Sequence, residues 1–299
     1  MITTIVTGYD GSPASETAVW WAAAEAVRRS ARLRLTYALP LSLMSTPLGI
    51  PSVSSPTDML RETTEHLLAE FAQRIRQSFP RLSIDAVVNF GGAAPALLQE
   101  ANNAVLVVLG SRGLGEFRDL AMGSVSAHVA THATCPVVVV PPRWEPSRAT
   151  GGVVVGVDGS TCSVEAIGFA FEQAEASQAT LTAVMAWHDP VSTGPNDPLP
   201  AVYDLEVLEE ESSALLAESM AGHRDRYPEV PVHKRLLRGT AHDVLLAAGR
   251  SAELLVVGSR GRGTFRGLLL GSTSRALVHH PPCPVAVVRG LRRTFRPMP

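Results

Sequence analysis

A single shift of 148 residues (156 − 8) maps this chain of 299 onto itself. Gly8-Tyr9-Asp10-Gly11-Ser12 recurs as Gly156-Val157-Asp158-Gly159-Ser160. Gly110 recurs as Gly258, Gly123 as Gly271, Cys135-Pro136 as Cys283-Pro284 and Phe79-Pro80 as Tyr227-Pro228. One offset shared by landmarks this far apart means two copies of one domain with no net insertion between them. Whatever the chain folds into, it builds twice. The expected boundaries are 1–142 for the first domain, 143–152 for a linker rich in Pro, Gly and charge, and 153–299 for the second.

Inside each copy, apolar runs rich in β-branched residues alternate with helical patterns. In the first, residues 2–7, 33–39, 84–89, 105–109 and 136–140 read as strands; in the second, 153–157, 181–187, 232–237, 254–257 and 284–288. Ser12 suits an N-cap and Pro13 the first helical position, opening a helix that carries Trp20 and Trp21. Residues 58–79 read as a long amphipathic helix, 95–101 as a short one, and a further helix runs from Ser124 to about His132. Strands this uniformly apolar, alternating with helices, specify an α/β fold: a parallel sheet covered on both faces.

The most informative stretch follows the fourth strand. It reads Gly110-Ser111-Arg112-Gly113-Leu114-Gly115-Glu116 and closes with Gly123-Ser124-Val125-Ser126. The second copy reads Gly258-Ser259-Arg260-Gly261-Arg262-Gly263-Thr264, then Gly271-Ser272-Thr273-Ser274. A strand, a glycine-rich loop and a helix start expose backbone N–H groups, and glycine lets an anion approach the main chain closely. In an open parallel sheet the ligand sits outside the carboxyl ends of the strands, where strand order reverses. The turns at Gly8 and Gly156 lie at carboxyl ends too. If the first and fourth strands are neighbours, Asp10 faces the Gly110 loop and Asp158 faces the Gly258 loop. A carboxylate beside a phosphate cradle suits ribose hydroxyls or a metal. It would equally suit a cap on the following helix. The arrangement describes a nucleotide site, twice over.

The formal net charge is −2, which argues against nucleic acid as a general partner. Lys234 is the lone lysine, so no phosphate site here rests on a P-loop lysine; GxxxxGK[ST], GxSxG and HExxH are likewise missing. Three cysteines, Cys135, Cys162 and Cys283, without a CxxC, fit a reducing compartment. The first residues lack a basic n-region, and no apolar run approaches the ~20 residues of a membrane helix. The expectation is a soluble cytoplasmic protein with no membrane partner.

The residues carry a resemblance. Gly110/Gly113/Gly123/Ser124 and Gly258/Gly261/Gly271/Ser272, in the pattern Gly-x2-Gly-x9-Gly-Ser, resemble the nucleotide motif of ATP-binding universal stress proteins. The Gly-x-Asp-Gly-Ser turns and the Cys-Pro-Val lead into each last strand are similar to the same family. The match covers both halves, as in tandem-domain members from actinobacteria. It implies two Rossmann-like domains, each with five parallel strands ordered 3-2-1-4-5. It also implies one ATP per domain, with adenine near the backbone of Ala38 and Ala186. Asp10 and Asp158 would serve the ribose or the metal end, where Mg2+ would enter. Residues 110–116 with 123–126, and 258–264 with 271–274, would hold phosphates and ribose.

The remaining signals are weaker. His128 and His132 stand one helical turn apart, but without a third ligand they read as hydrogen-bonded histidines rather than a metal site. Cys162 sits at a helix start, where a thiolate would be stabilised. Arg112 and Arg260 face either phosphate or solvent. Residues 40–57 and 188–203 follow the second strands and are long enough to act as lids, with Asp189 an added contact for the second site. Residues 289–296 form a basic tail. Three function classes follow: a regulatory ATP-binding protein, a slow ATPase or adenylyl transferase, and an interaction module. In the module, 137–140 and 285–288 would pair the halves or join copies into a homodimer, for an unidentified regulatory partner to read.

Overall fold

The computed structural model describes residues 3–39, 56–113, 123–187, 205–262 and 270–290. The chain divides into two compact units, Met1–Glu145 with Val278–Ala286, and Pro146–Leu277 with Val287–Pro299. In the first unit the order is β1 (Thr4–Gly8), α1 (Pro13–Arg28), β2 (Arg32–Leu39), α2 (Pro56–Ser78), β3 (Ile84–Phe90), α3 (Ala93–Ala101), β4 (Leu106–Gly110), α4 (Ser124–His132) and β5 (Val137–Val140). The strands are parallel and ordered β3-β2-β1-β4-β5. The order reverses between β1 and β4, whose register pairs Ile5 with Leu106 and Thr7 with Val108.

The second copy runs β6 (Val153–Gly156), α5 (Thr161–Ser177), β7 (Leu181–Trp187), α6 (Leu205–Met220), α7 (His223–Arg226), β8 (Val232–Arg238), α8 (Ala241–Gly249), β9 (Leu254–Gly258), α9 (Ser272–His279) and β10 (Val285–Val288). Its order is β8-β7-β6-β9-β10, again reversing between the first and fourth strands. The expected 3-2-1-4-5 topology is therefore present twice.

Burial explains why these runs are strands. Successive side chains of a strand point to opposite faces. Leu106, Val107, Val108 and Leu109 of β4 are all buried, as are Leu254 to Val257 of β9, so both faces of each sheet are covered. The outer strands β3 and β8 are mostly half-buried or exposed, as edge positions allow. The first helix starts where expected: the Ser12 hydroxyl accepts from the Ser15 N–H at 3.1 Å, with Pro13 in the first turn. Ser160 caps α5 the same way, accepting from Ser163 at 3.2 Å.

Two elements were not expected from sequence. The four-residue helix α7 follows α6, and a short 3-10 turn at Pro146–Arg148 falls among residues 143–152. Among the described residues, no helix is long and apolar enough to cross a membrane.

Candidate functional site

The switch point of each unit is built from two turns clasped together. In the second unit the Asp158 carboxylate accepts from the Ser160 N–H at 2.9 Å and from the Arg262 N–H at 3.2 Å. One oxygen thus closes the turn after β6, and the other holds the loop after β9. The Ser160 hydroxyl adds a second tie, donating to the Arg260 carbonyl at 3.2 Å. In the first unit Asp10 accepts from the Ser12 N–H at 3.0 Å, and its other oxygen lies against Gly113. A side chain at Gly113 or Gly261 would collide with the Asp10 or Asp158 carboxylate. These glycines are therefore required by the clasp.

Gly110 and Gly258 answer a different need. A Cβ at Gly110 would stand 2.7 Å from the Ala14 carbonyl carbon, and one at Gly258 2.8 Å from that of Cys162. The strand end and the first turn of the same unit's first helix, α1 or α5, pack backbone to backbone there.

Beyond the loop, the Gly123 N–H donates to the Ser111 carbonyl and the Gly271 N–H to the Ser259 carbonyl, both at 2.8 Å. The Ser126 hydroxyl donates to the Gly110 carbonyl at 2.7 Å, and Ser274 to Gly258 at 2.6 Å. Each latch fixes the first turn of α4 or α9 over the strand end. At α4 the N-cap is Gly123, and no side chain caps the helix. Its first N–H groups lack intrahelical acceptors, which leaves them for an anion.

In the second unit these parts enclose a cavity of about 910 Å3, within the roughly 300–1,000 Å3 of small-molecule sites. Gly156, Asp158, Ala186, Gly258, Arg260, Gly261, Arg262, Gly271, Ser272, Thr273 and Ser274 all line it. Ser259 is buried instead, its backbone bonded to Val288 and Gly271. Gly263, Thr264 and Asp189 lie outside the described residues, as does the second proposed lid. In the first unit Gly8, Asp10, Ala38, Gly110, Ser111, Arg112, Gly113, Gly123, Ser124, Val125 and Ser126 occupy the matching positions. Ser111 is buried, while Arg112 and Gly113 are exposed. Leu114, Gly115, Glu116 and the first proposed lid lie outside the described residues.

Sequence reasoning missed one wall of the cavity. Ala241 and Leu245 of α8 line it, with Val157, Val184 and Val257. Apart from Val157, the variable position of the Asp turn, none belongs to a motif, although apolar lining opposite a polar cradle suits a flat aromatic base. Cys162 also lines it. Burial pushes its thiol up, but hydrogen bonds from the Gly290 backbone and the Ser259 hydroxyl, then the Arg260 backbone and charge, outweigh this and leave it below the ordinary value. At Cys135 burial outweighs the backbone hydrogen bonds of Cys135 and Val107 and pushes the thiol up to about 11. His128 and His132 stack at 4.2 Å between ring centroids, with His132 Nδ1 2.9 Å from the His128 carbonyl. No group of three metal-ligating side chains is found among the described residues.

Residues 1–141 and 151–289 each match the Universal stress protein family. The chain belongs to that family. A universal stress protein of Mycobacterium tuberculosis is 38% identical over 95% of this chain and 94% of its own length. Another, from Mycolicibacterium smegmatis, is 33% identical over 95% and 96%. Among solved structures, a universal stress protein from Archaeoglobus fulgidus aligns over 96% of both chains with a TM-score of 0.65 at 23% identity, a likeness of fold. Membership supports a stress-response role for the chain.

Proposed function

We propose that this universal stress protein is a regulatory ATP-binding protein with one nucleotide site per domain, the domains being residues 1–142 and 153–299 joined by 143–152. The observation that carries the reading is the second-unit cavity. It gathers the Asp turn, the glycine loop and the first turn of α9 at the carboxyl ends of β6 and β9. Phosphates would take the N–H groups of Ser272 to Ser274 and the loop arginines. The base would lie toward Ala186, Val184 and Leu245. The first unit repeats the clasp and the latch, so the same reading extends to Asp10, Gly110 to Gly113 and Gly123 to Ser126.

Asp158 is the carboxylate among the lining residues, and both its oxygens already accept from backbone N–H groups. That favours binding over catalysis, because phosphoryl transfer needs a free group to orient the attacking hydroxyl or water in line with the phosphate that is transferred. Mg2+ would therefore enter chiefly on the nucleotide's own phosphates, with Asp158 at its edge. Steady-state hydrolysis above about one per second, the low end for kinases, would overturn this reading.

Ligand binding to the folded state alone adds RT ln(1 + [L]/Kd), about 2.7 kcal/mol at a hundredfold excess over Kd. Nucleotide level is thereby converted into conformational population, which a second copy of the chain or a regulatory protein partner would read. The test is to denature purified protein, separate the released nucleotide and count it per chain. Two ATP per chain are expected, with one lost when Gly271 and Ser272 are replaced together. No nucleotide, and no rise in melting temperature on adding millimolar ATP, would make the loops structural.

A further inference from the structure

The two units differ on the wall where a base would rest. In the second unit Val184 and Ala186 of β7 line the cavity, as do Ala241 and Leu245 of α8. The offset of 148 puts Thr36 and Ala38 of β2, with Ala93 and Leu97 of α3, at the same positions. The register is also the same, Gly8 pairing with Thr36 as Gly156 pairs with Val184. So is the packing: a Cβ on Gly8 would meet Leu97, as one on Gly156 would meet Leu245. Residues side by side in the register share a face, so Thr36, like Val184, points to the face that carries the site.

Thr36 is 2% exposed, yet its hydroxyl has no hydrogen-bond partner. Two residues on, Ala38 stands beside Asn89 of β3, and strand alternation puts Asn89 on the face of Thr36. The Asn89 Nδ2 is shut off from solvent and is likewise unpartnered. Such orphans are costly and rare in a native fold. Arg32 and Arg34, deeper on the same face, also leave an Nε unpartnered, but Asp85 and Glu100 hold their guanidinium groups in ion pairs. The orphaned hydroxyl of Thr7 precedes Gly8 and points to the opposite face. In the second unit Val184 and Leu237 replace Thr36 and Asn89. Among the described residues, none that lines its cavity holds an orphaned polar atom.

Resting on the reading of both sites as nucleotide sites, we infer that the first reads the edge of an adenine through Thr36 and Asn89, while the second only encloses the base. An adenine edge offers an amino donor beside a ring-nitrogen acceptor, the pair that an asparagine amide complements with two hydrogen bonds. The Thr36 hydroxyl can accept from the amino group or donate to a ring nitrogen. Both orphans gain partners only when the base is in place. A base lacking those groups is rejected for the same reason, because it leaves the orphans buried and unpaired. Val184 and Leu245 accept any flat ring and leave nothing unpaired. The first half of the chain would then register adenine nucleotide, and the second half purine nucleotide at large.

The experiment titrates the full chain calorimetrically with ATP and with purine riboside triphosphate, which differs only in lacking the exocyclic amino group. Two classes of site are expected, one weakening about tenfold or more for the analogue and the other by less than about threefold. Thr36→Val combined with Asn89→Leu, which gives the first unit the residues of the second, should bring both classes under about threefold. Thr36→Ser, with Asn89 kept, should retain the difference. Melting supplies a second reading. Replacing an orphaned hydroxyl by a methyl of the same shape, in Thr36→Val, should leave the protein without nucleotide as stable or more so. The rise in melting temperature given by ATP should shrink in the same variant. A loss of stability without nucleotide would mean that the hydroxyl serves the fold, and would overturn the inference. So would an equal response to the analogue at both sites, or a selective class that survives the double variant; each leaves the nucleotide reading intact. Absence of any nucleotide binding would overturn both together.

Discussion

In both units an Asp accepts from the N–H two residues on, at 3.0 Å for Asp10 and 2.9 Å for Asp158. A serine hydroxyl latches to a strand-end carbonyl in both, and a glycine N–H bonds the loop carbonyl at 2.8 Å in both. Around that shared frame the side chains part company. Tyr9 stacks on Phe71, centroids 4.4 Å apart; their counterparts are Val157, which lines the cavity, and Ser219. Ala14 becomes Cys162 and Thr36 becomes Val184. Beneath the helices, fully buried Ile75 becomes His223, which stacks on Phe171 at 5.4 Å. The frame is main chain held by the same aspartate and serine in each copy, so it is shared. The side chains around that frame are free to change between copies, and they have.

The comparison breaks first at the close approach. Gly110→Ala and Gly258→Ala each push a methyl into helix backbone, and each should cost about 3 kcal/mol, the upper range for overpacking. Denaturant unfolding measures both, and a loss confined to one unit would mean the packing is not shared. Removing the clasp comes next. Asp158→Ala strands the Ser160 and Arg262 N–H groups, at a cost of about 2 kcal/mol, and should lower nucleotide stoichiometry by one per chain. Asp10→Ala should do likewise for the other unit. If both variants keep full stoichiometry, the carboxylates are caps and nothing more.

Two smaller tests address differences rather than likeness. Cys162 has Ala14 as its counterpart, so alkylating it should weaken the second site alone. Because its pKa is lowered, labelling should set in below the ordinary thiol value of 9.0, and Cys135 should lag toward its value of about 11. Nucleotide that fails to slow the labelling of Cys162 would place its thiol away from the ligand.

The weakest effect concerns His223. Burial, and then the Arg226 cation, hold its pKa below the ordinary 6.5, against the opposing pull of Glu165. The folded unit therefore binds that proton less well than the unfolded chain does. The stability linked to it is complete above pH 6.5 and declines as pH falls through that value. Melting temperature should drop between about pH 7.5 and about pH 5.5 by less in His223→Gln than in the parent chain. Ile75 cannot contribute such a term.

Much of this frame is legible in the sequence alone. Runs such as Leu106 to Leu109 are apolar at every position, as a short strand covered on both faces requires. Ser12-Pro13 announced a helix start through chemistry local to four residues. The positions of Asp10 and Asp158 at the switch point followed from strand order. Their second role did not. The bond from Arg262 to Asp158 joins residues 104 apart, and nothing in either local sequence encodes it. Leu245 and Ala241 reach the cavity from a helix whose own pattern says only that it is amphipathic. Four-residue α7 is shorter than the period that would reveal it. Local chemistry and periodicity can be read directly, whereas contacts closed by the fold must be seen.

Gly261 has no room for a side chain because the Asp158 carboxylate occupies the space, and Gly113 meets Asp10 in the same way. Neither partner can be exchanged freely while the other stays. Across relatives the two positions should therefore drift as a unit: a lineage that fills the glycine should also have shortened or neutralised the aspartate. Such paired substitution would mark, in an alignment alone, the copies whose cradle has been retired.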